Sequence, residues 1–218
     1  MMRLGVLASG SGSNLQSILD ACEQGRIEAR VAAVICNVAG ARALERARAS
    51  SVPAILLPHA GFARREEYDA HLVEELRAHD VSLVCLAGFL RIITPVMLRA
   101  FPDRILNIHP ALLPSFPGMH AVRQALAAGV RVSGCTVHIV DEGTDTGPIV
   151  VQAAVPVLDG DTEETLAARI LVQEHRAYPR AISLFASGRA TITGRKVAVR
   201  GIAADPALTF ASPPLDDG

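Results

Sequence analysis

Short apolar runs alternate with segments of helical periodicity through the first half of this 218-residue chain, and this alternation restricts its fold most strongly. The apolar runs cover residues 4–8, 31–36, 53–57, 81–87 and 105–108. Between them, apolar side chains recur at helical spacing, as at Leu15, Ile18, Leu19 and Cys22. Strands that alternate with helices form parallel sheets through right-handed crossovers. The sequence therefore predicts an α/β fold, a single doubly wound domain with a mostly parallel central sheet.

The second half of the chain predicts a different arrangement of strands. Residues 130–140 alternate in polarity like a strand, and residues 149–157 follow as its partner after a short loop. A short loop joins antiparallel neighbours, so we expect an antiparallel C-terminal portion of the sheet. A long helix comes next, and residues 187–199 predict short strands. We expect one domain over residues 1–200 and a flexible, proline-containing tail over residues 201–218.

A loop rich in glycine and serine, residues 9–14, separates the first strand from the first helix. Its backbone N–H groups and hydroxyls, placed at a helix N-terminus, suit a phosphate group. The dinucleotide pattern GxGxxG fails, because Gly10 and Gly12 are followed by Leu15 at the third position. The second strand ends in Asn37 rather than in an acidic residue that would hold a ribose. The loop favours a mononucleotide-type phosphate over NAD, and a plain strand–helix turn is the alternative.

Two polar side chains interrupt the apolar strand that ends just before Pro110. Asn107 and His109 are two positions apart, so their side chains project from the same face of the strand. Pro110 cannot donate to a sheet, and a proline-rich loop follows as far as Gly118. An amide and a titratable ring at a strand end suit oxyanion stabilisation and proton transfer, unless they simply cap the strand. Because parallel strands end at one edge, we expect this pair to share a cleft with loop 9–14.

An acidic loop rich in glycine and threonine, residues 141–148, joins the two predicted antiparallel strands. Its oxygen atoms would suit calcium, although their spacing is not that of an EF-hand. The other interpretation is a carboxylate that orients a histidine. His138, on the strand before this loop, is open to two interpretations as well. It is either a hydrogen-bonded structural histidine or a residue that lines the site.

Charge and cysteine content argue against several classes of function. The formal net charge is −1 and charges of both signs are scattered, which disfavours a nucleic-acid or membrane-surface partner. The longest apolar run, residues 83–90, is far shorter than a membrane span. The four cysteines show no CxxC spacing, so we expect reduced thiols in a cytoplasmic protein rather than disulfides or a zinc site.

These motifs together resemble the phosphoribosylglycinamide formyltransferase family, folate-dependent enzymes of purine synthesis. The matching pieces, in the family's order, are residues 9–14, 86–92, 107–114, 116–118, 136–138, 141–148 and 173–175. They cover nearly the whole chain up to Arg189. The piece from His109 to Pro114 is typical of folate formyltransferases and hydrolases as a group, and the Gly-Ser-Asn loop narrows the resemblance to the ribonucleotide enzyme.

The resemblance implies a reaction and a set of site residues. The formyl group of 10-formyltetrahydrofolate, a co-substrate, would move directly to the amine of glycinamide ribonucleotide through a tetrahedral intermediate, without a metal. The catalytic residues would be Asn107, His109 and Asp145. The ribonucleotide would be bound by Gly12, Ser13, Asn14 and Glu174. The folate would be surrounded by Arg65, Leu90, Arg91, Ile92, Ile93, Asn107, Asp141, Glu142, Gly143, Thr144 and Asp145.

The resemblance also implies a division of labour within the domain. The N-terminal half would bind the phosphate, and the C-terminal half would carry the folate site and the catalytic loop. We expect the two small molecules as partners, no nucleic acid or membrane, and a monomer or weak homodimer. One departure is Leu171, one turn before Glu174, where some relatives carry a polar residue. The alternatives are a formyl-folate hydrolase, a methionyl-tRNA formyltransferase, and a nucleotide-binding module without catalysis.

Overall fold

The computed structural model of this protein describes residues 1–202 and 210–212. Within these residues, nine strands form one sheet with helices on both faces. The strands are β1 Met2–Ala8, β2 Ala29–Cys36, β3 Ala54–Leu56, β4 Leu83–Leu86, β5 Ile105–His109, β6 Val132–Ile139, β7 Ile149–Pro156, β8 Ala190–Thr193 and β9 Lys196–Val199. The helices are α1 Ser13–Glu23, α2 Arg42–Ala49, α3 Arg65–Ala78, α4 Pro95–Ala100, α5 Ala121–Ala127 and α6 Glu163–Ala186.

The strands lie in the order β3-β2-β1-β4-β5-β6-β7-β9-β8. All pairs from β3 to β5 are parallel. The direction changes at β5, which pairs antiparallel with β6, and β6 pairs antiparallel with β7. At the far edge β9 runs parallel to β7 and antiparallel to β8. The predicted α/β fold, with a mostly parallel central sheet and an antiparallel C-terminal portion, is confirmed.

Alternating side chains of the central strands pack into two separate cores. On β1, Leu4 and Val6 pack into the core that contains Leu15 of α1 and Tyr178 of α6. Leu7 belongs to the core on the other face, which includes the buried side of α3. Because helices cover both faces, a ligand reaches this sheet at the ends of its strands.

Helix α6 begins after Thr162, which is its N-cap. The Thr162 hydroxyl accepts a hydrogen bond from the backbone N–H of Thr165, and the Thr165 hydroxyl accepts one from the N–H of Thr162. Asp161, just before the cap, pairs with Arg169 through hydrogen bonds of 2.7 and 2.8 Å. Pro179 lies inside the helix, where it removes one backbone hydrogen bond.

The four cysteines are free, with Cys36, Cys85 and Cys135 buried and Cys22 partly exposed. The predicted flexible tail falls mainly on residues 203–209 and 213–218, which lie outside the described residues. The boundary placed at residue 200 stays a prediction. Across the described chain, no helix combines the length and apolar character needed to cross a membrane.

Candidate active site

A cleft of about 730 Å³ opens at the carboxyl ends of β1, β4 and β5. Its lining includes Asn14 after β1, His109 at the end of β5 and Glu174 on α6. Of the two features that were expected to share a cleft, both residues of the polar pair on β5 line it, whereas loop 9–14 contributes only Asn14. Gly12 and Ser13 lie next to Asn14 in sequence but are not among the residues that line the cleft.

Three side chains converge at one end of this cleft. Oδ2 of Asp145 lies 3.2 Å from Nδ1 of His109, and Oδ1 of Asp145 lies 3.4 Å from Nδ2 of Asn107. Asp145 has a positive φ of 55°, a conformation uncommon outside glycine that turns the acidic loop here. The sequence predicted Asn107 and His109 on one face of a strand. The arrival of Asp145 beside them depends on how the loop after β6 folds back.

Both ring nitrogens of His109 face hydrogen-bond acceptors. Nε2 donates to the backbone carbonyl of Phe116 at 2.8 Å, and Nδ1 faces the Asp145 carboxylate. A carbonyl can only accept, so Nε2 carries a proton, and an ionised carboxylate favours a second proton on Nδ1. The ring is 5% exposed, so this arrangement is largely shielded from water. The geometry thus directs each ring nitrogen at an oxygen atom that can accept a hydrogen bond.

The carboxylate of Asp145 is satisfied by several donors. Burial by itself raises its pKa, but hydrogen bonds from His138 and from the Gly118 N–H, together with the charge of His109, outweigh burial and hold the pKa below its ordinary value. The Gly118 N–H lies 2.8 Å from Oδ2. Asp145 is therefore ionised at neutral pH, as a group that stabilises an imidazolium needs to be.

His138 belongs to the same cluster, a placement that the sequence left open. It lies directly opposite Asn107 across the β5–β6 pair. Its Nδ1 donates to the carbonyl of Ile139 at 2.9 Å, and its Nε2 is 3.2 Å from Nδ2 of Asn107 and 3.4 Å from Oδ1 of Asp145. A neutral ring accepts from Asn107 through Nε2, whereas a protonated ring donates to Asp145. The placement of His138 in the site follows from the register between β5 and β6, which sets it opposite Asn107.

The loop between β1 and α1 is held by α2. Gly12 has φ 68°, and a Cβ there would lie 2.9 Å from Ala43, so both its conformation and its space require glycine. The Ala43 N–H donates to the Gly10 carbonyl at 3.2 Å. Arg46 donates to the Ser11 carbonyl at 3.0 Å. The loop thus keeps its shape at the start of α1, with a cation beside it.

Asn14 and Glu174 meet where α1 and α6 approach each other. Nδ2 of Asn14 donates to Oε2 of Glu174 at 2.7 Å. Burial raises the pKa of Glu174, and the hydrogen bond from Asn14 offsets part of that shift. Oδ1 of Asn14 is buried and has no hydrogen-bond partner within the described residues. An unpaired buried acceptor is costly, so this amide suits a donor supplied by a ligand.

Most of the residues that the resemblance assigned to the folate line the other side of the cleft. Leu90 and Ile92 are 71% and 66% exposed, and their neighbours are Arg91 and Ile93. The acidic loop contributes every residue from Asp141 to Asp145. Arg65, at the start of α3, is not among the cleft-lining residues. Exposed apolar side chains in a cleft suit a flat, partly apolar ligand.

The acidic loop is closed by its own hydrogen bonds and by the β8–β9 hairpin. The Asp141 carboxylate accepts from the Gly143 N–H at 3.1 Å and from the Thr146 hydroxyl at 2.7 Å. Arg195, at the turn of the hairpin, donates to the Thr146 carbonyl at 2.7 Å. The described residues contain no cluster of three or more histidine, cysteine or acidic side chains arranged to hold a metal ion.

Comparison with known proteins identifies the family. Residues 2–182 match the model of the formyl transferase family. The chain belongs to this family. It is 44% identical to phosphoribosylglycinamide formyltransferase of Escherichia coli K12, over 94% of this chain and 100% of that protein. It is 50% identical to the enzyme of the same name from Mycobacterium tuberculosis H37Rv, over 88% of this chain and 89% of that protein.

Solved structures of formyltransferases share the whole fold. Glycinamide ribonucleotide transformylase 1 from Symbiobacterium toebii superimposes with a TM-score of 0.90 and 59% identity, over 91% of this chain and 94% of that one. The chain also matches trifunctional purine biosynthetic protein adenosine-3 of Drosophila pseudoobscura pseudoobscura at 51% identity. This alignment covers 85% of the present chain and 14% of that larger relative.

Proposed function

We propose that this formyltransferase moves the formyl group of 10-formyltetrahydrofolate to the amine of glycinamide ribonucleotide. The products are formylglycinamide ribonucleotide and tetrahydrofolate, in purine biosynthesis. The observation that carries the proposal is the convergence of Asn107, His109 and Asp145 in one cleft. Relatives named phosphoribosylglycinamide formyltransferase, aligned over most of the chain, support the same reaction.

The proposed site residues divide the cleft between two ligands. Gly12, Ser13 and Asn14 would hold the phosphate side of the ribonucleotide, and Glu174 its ribose hydroxyls. The exposed segment around Leu90 would contact the folate, together with the loop 141–145. Arg65 remains a proposed folate contact outside the lining of the cleft. The proposed folate contacts, and the proposed ribonucleotide contacts as well, would thus come from both halves of the chain.

The proposed chemistry is a direct transfer. The amine nitrogen attacks the formyl carbon, which leaves a tetrahedral carbon with one negative oxygen. Asn107 and the protonated His109 donate hydrogen bonds to that oxygen. Asp145 takes a proton from the amine and, through water, returns one to the departing folate nitrogen as its bond to the formyl carbon breaks. One proton leaves the amine and one reaches the folate, so no metal or redox partner is needed for balance.

Both oxyanion donors are occupied in this structure, which places a condition on the mechanism. Nε2 of His109 donates to the Phe116 carbonyl, and Nδ2 of Asn107 faces Asp145 and His138. At least one of these bonds has to be exchanged for a bond to substrate. The Phe116 carbonyl belongs to the proline-rich loop after β5, so movement of this loop would release His109 as substrate binds.

A formyl-transfer assay tests the proposal. The purified protein is given 10-formyltetrahydrofolate and glycinamide ribonucleotide, and the formylated ribonucleotide is measured by mass spectrometry. The His109→Ala variant should lose at least about a hundredfold in kcat, as expected for a group that donates to the oxyanion. Full activity of this variant would reject the mechanism. Formate release without ribonucleotide would indicate a hydrolase, and formylation of methionyl-tRNA would indicate the tRNA enzyme.

The partners and location follow from the same proposal. We infer that the chain acts on small molecules in the cytoplasm, without nucleic acid or membrane, as a monomer or weak homodimer. Sedimentation of the purified protein at micromolar and at tenfold higher concentration tests the assembly. A stable complex larger than a dimer at both concentrations would contradict it.

A further inference from the structure

Ser9, the first residue of loop 9–14, contacts the segment 88–93 on the folate side of the cleft. Its hydroxyl accepts a hydrogen bond from the backbone N–H of Leu90 at 2.9 Å. Its own N–H donates to the carbonyl of Gly88 at 3.0 Å. Ser9 thus holds the start of the segment 88–93 with two hydrogen bonds across 81 positions of sequence between Ser9 and Leu90.

The Ser9 hydroxyl is fixed by a second buried polar group. It donates to Oδ1 of Asn37 at 2.7 Å, and both side chains are only 7% exposed. Nδ2 of Asn37 is 3.2 Å from Nδ1 of His59, which accepts when the ring is neutral. Because the Ser9 hydroxyl donates its proton to Asn37, its oxygen is left to accept from the Leu90 N–H.

The other end of the same segment is held in a similar way. The carboxylate of Asp69 accepts from the Thr94 N–H at 2.6 Å, and Asp69 is 3% exposed. Between these two anchors the side chains of Leu90 and Ile92 are mostly exposed to the cleft. Phe89 and Ile93 pack into the core beneath the segment, while the hydrogen bonds at its two ends fix the path of the backbone that presents Leu90 and Ile92 to the cleft.

We propose that Ser9 is a positioning residue for the formyl donor, which it serves by fixing the segment 88–93, and that it couples the ribonucleotide and folate halves of the cleft. The inference rests on the proposed function, because the segment matters only if the donor binds there. Ser9 stands immediately before Gly10, so one residue connects the loop proposed for the phosphate with the strip proposed for the folate.

The expected effect is selective for one substrate. Ser9→Ala should raise KM for 10-formyltetrahydrofolate roughly tenfold, the equivalent of one lost hydrogen bond to a backbone group. KM for the ribonucleotide should change less, because loop 9–14 is also held by α2 through Ala43 and Arg46. Asn37→Ala should shift the same constant in the same direction by a smaller factor, because it frees the hydroxyl without removing it.

Ser133→Ala is the matched control. The Ser133 hydroxyl is buried like that of Ser9 but has no hydrogen-bond partner within the described residues, and it does not line the cleft. Ser9→Thr keeps the hydroxyl and should recover most of the donor KM. Calorimetric titration with tetrahydrofolate provides a second readout that does not depend on turnover.

The outcomes separate the two proposals. Wild-type protein that transfers no formyl group would refute the proposed function. Wild-type activity with a donor KM that is unchanged by Ser9→Ala, relative to Ser133→Ala, would overturn the role of Ser9. An equal rise in both KM values together with a lower melting temperature would overturn it too, because that pattern reports a loosened fold. A selective rise in donor KM, weaker tetrahydrofolate binding and recovery by Ser9→Thr would establish it.

Discussion

Asp145 is the residue on which the site converges. Its two carboxylate oxygens lie within hydrogen-bond or ion-pair distance of Asn107, His109, His138 and the Gly118 N–H. An ionised carboxylate accepts about four hydrogen bonds, so its capacity is nearly filled by groups from three different segments. Its charge and its position are therefore both set by the folded chain rather than by its neighbours in sequence.

Replacing that carboxylate with an amide should uncouple the cluster. Asp145→Asn keeps the size of the side chain but removes the charge that faces Nδ1 of His109. We expect kcat to fall by roughly two to four orders of magnitude, the range for a proton-transfer group. The matched control is Asp159→Asn, which changes an exposed carboxylate that pairs with Arg131 and does not line the cleft. Steady-state transfer assays at pH 7 compare the two.

The lowered pKa of Asp145 also has a consequence for stability. A carboxyl group with a depressed pKa stabilises the folded state above its ordinary value of 3.8, and this contribution is lost as the pH falls through the folded-state pKa. Urea unfolding should therefore show Asp145→Asn less stable than wild type at pH 6. The difference should shrink below pH 3.8. A gap that stayed constant well below pH 3.8, where both states bind the proton, would contradict the assignment.

The pKa of Glu174 is shifted in the opposite direction from that of Asp145. Its raised pKa means that the folded state holds a proton more tightly than the unfolded chain, so folding loses stability as the pH rises above 4.5 and through the raised value. Glu174→Gln should therefore unfold at higher urea concentration than wild type at pH 7, with a smaller gain at pH 4. The same change should raise KM for the ribonucleotide. Glu74→Gln, on the exposed face of α3, is the control.

At the scale of secondary structure, the neighbouring parallel strands β4 and β5 are joined by a side chain of helix α6. The Tyr178 hydroxyl of α6 lies 3.0 Å from the Leu86 carbonyl and 2.9 Å from the Leu106 carbonyl, and the side chain is fully buried. These carbonyls belong to the two strands that carry the folate strip and the catalytic pair. The hydroxyl thus ties the supports of both halves of the cleft to α6.

Removing this hydroxyl should destabilise the fold. Tyr178→Phe leaves buried carbonyls without their donor, which costs about 1–3 kcal/mol of the free energy of unfolding. Tyr68→Phe is the matched comparison, because its hydroxyl has one carbonyl partner, Leu57 at 3.1 Å, in a less enclosed place. Chemical denaturation should give the larger loss for Tyr178→Phe. Equal losses would show that the pair of carbonyls is not the cause.

The elements themselves were largely predictable, and their contacts were not. Periodicity placed β5 and the spacing of Asn107 and His109 on one face, because that follows from local strand geometry. The position of His138 beside Asn107 depends on the register of β5 against β6. The bond from Leu90 to Ser9 depends on which strands become neighbours. Both facts belong to tertiary structure, and no local pattern in the sequence contains them.

At the scale of the whole molecule, the site draws on almost every part of the chain. Its lining comes from the ends of three parallel strands, the acidic loop after β6, and α6. The sequence predicted the parallel half and its shared edge because crossover rules fix which ends meet. Asp145 and Glu174 were assigned through the family resemblance, since their approach to β5 and α1 is set by the antiparallel half.

The β8–β9 hairpin should control the motion of the acidic loop. Arg195→Ala removes the bond to the Thr146 carbonyl. We expect faster amide hydrogen exchange across residues 141–148 and a fall in kcat of less than about fivefold, the scale of an exposed charged contact. Arg189→Ala, which removes bonds within the C-terminal segment, is the control. Unchanged exchange in the acidic loop of Arg195→Ala would contradict the link.

The family match ends at residue 182, and Arg195 lies beyond it. The hydrogen bond that holds the acidic loop thus comes from the β8–β9 hairpin, which lies outside the residues matched by the family model. A protein engineer can therefore adjust how readily that loop opens through a surface arginine, while every side chain that faces a substrate keeps its identity.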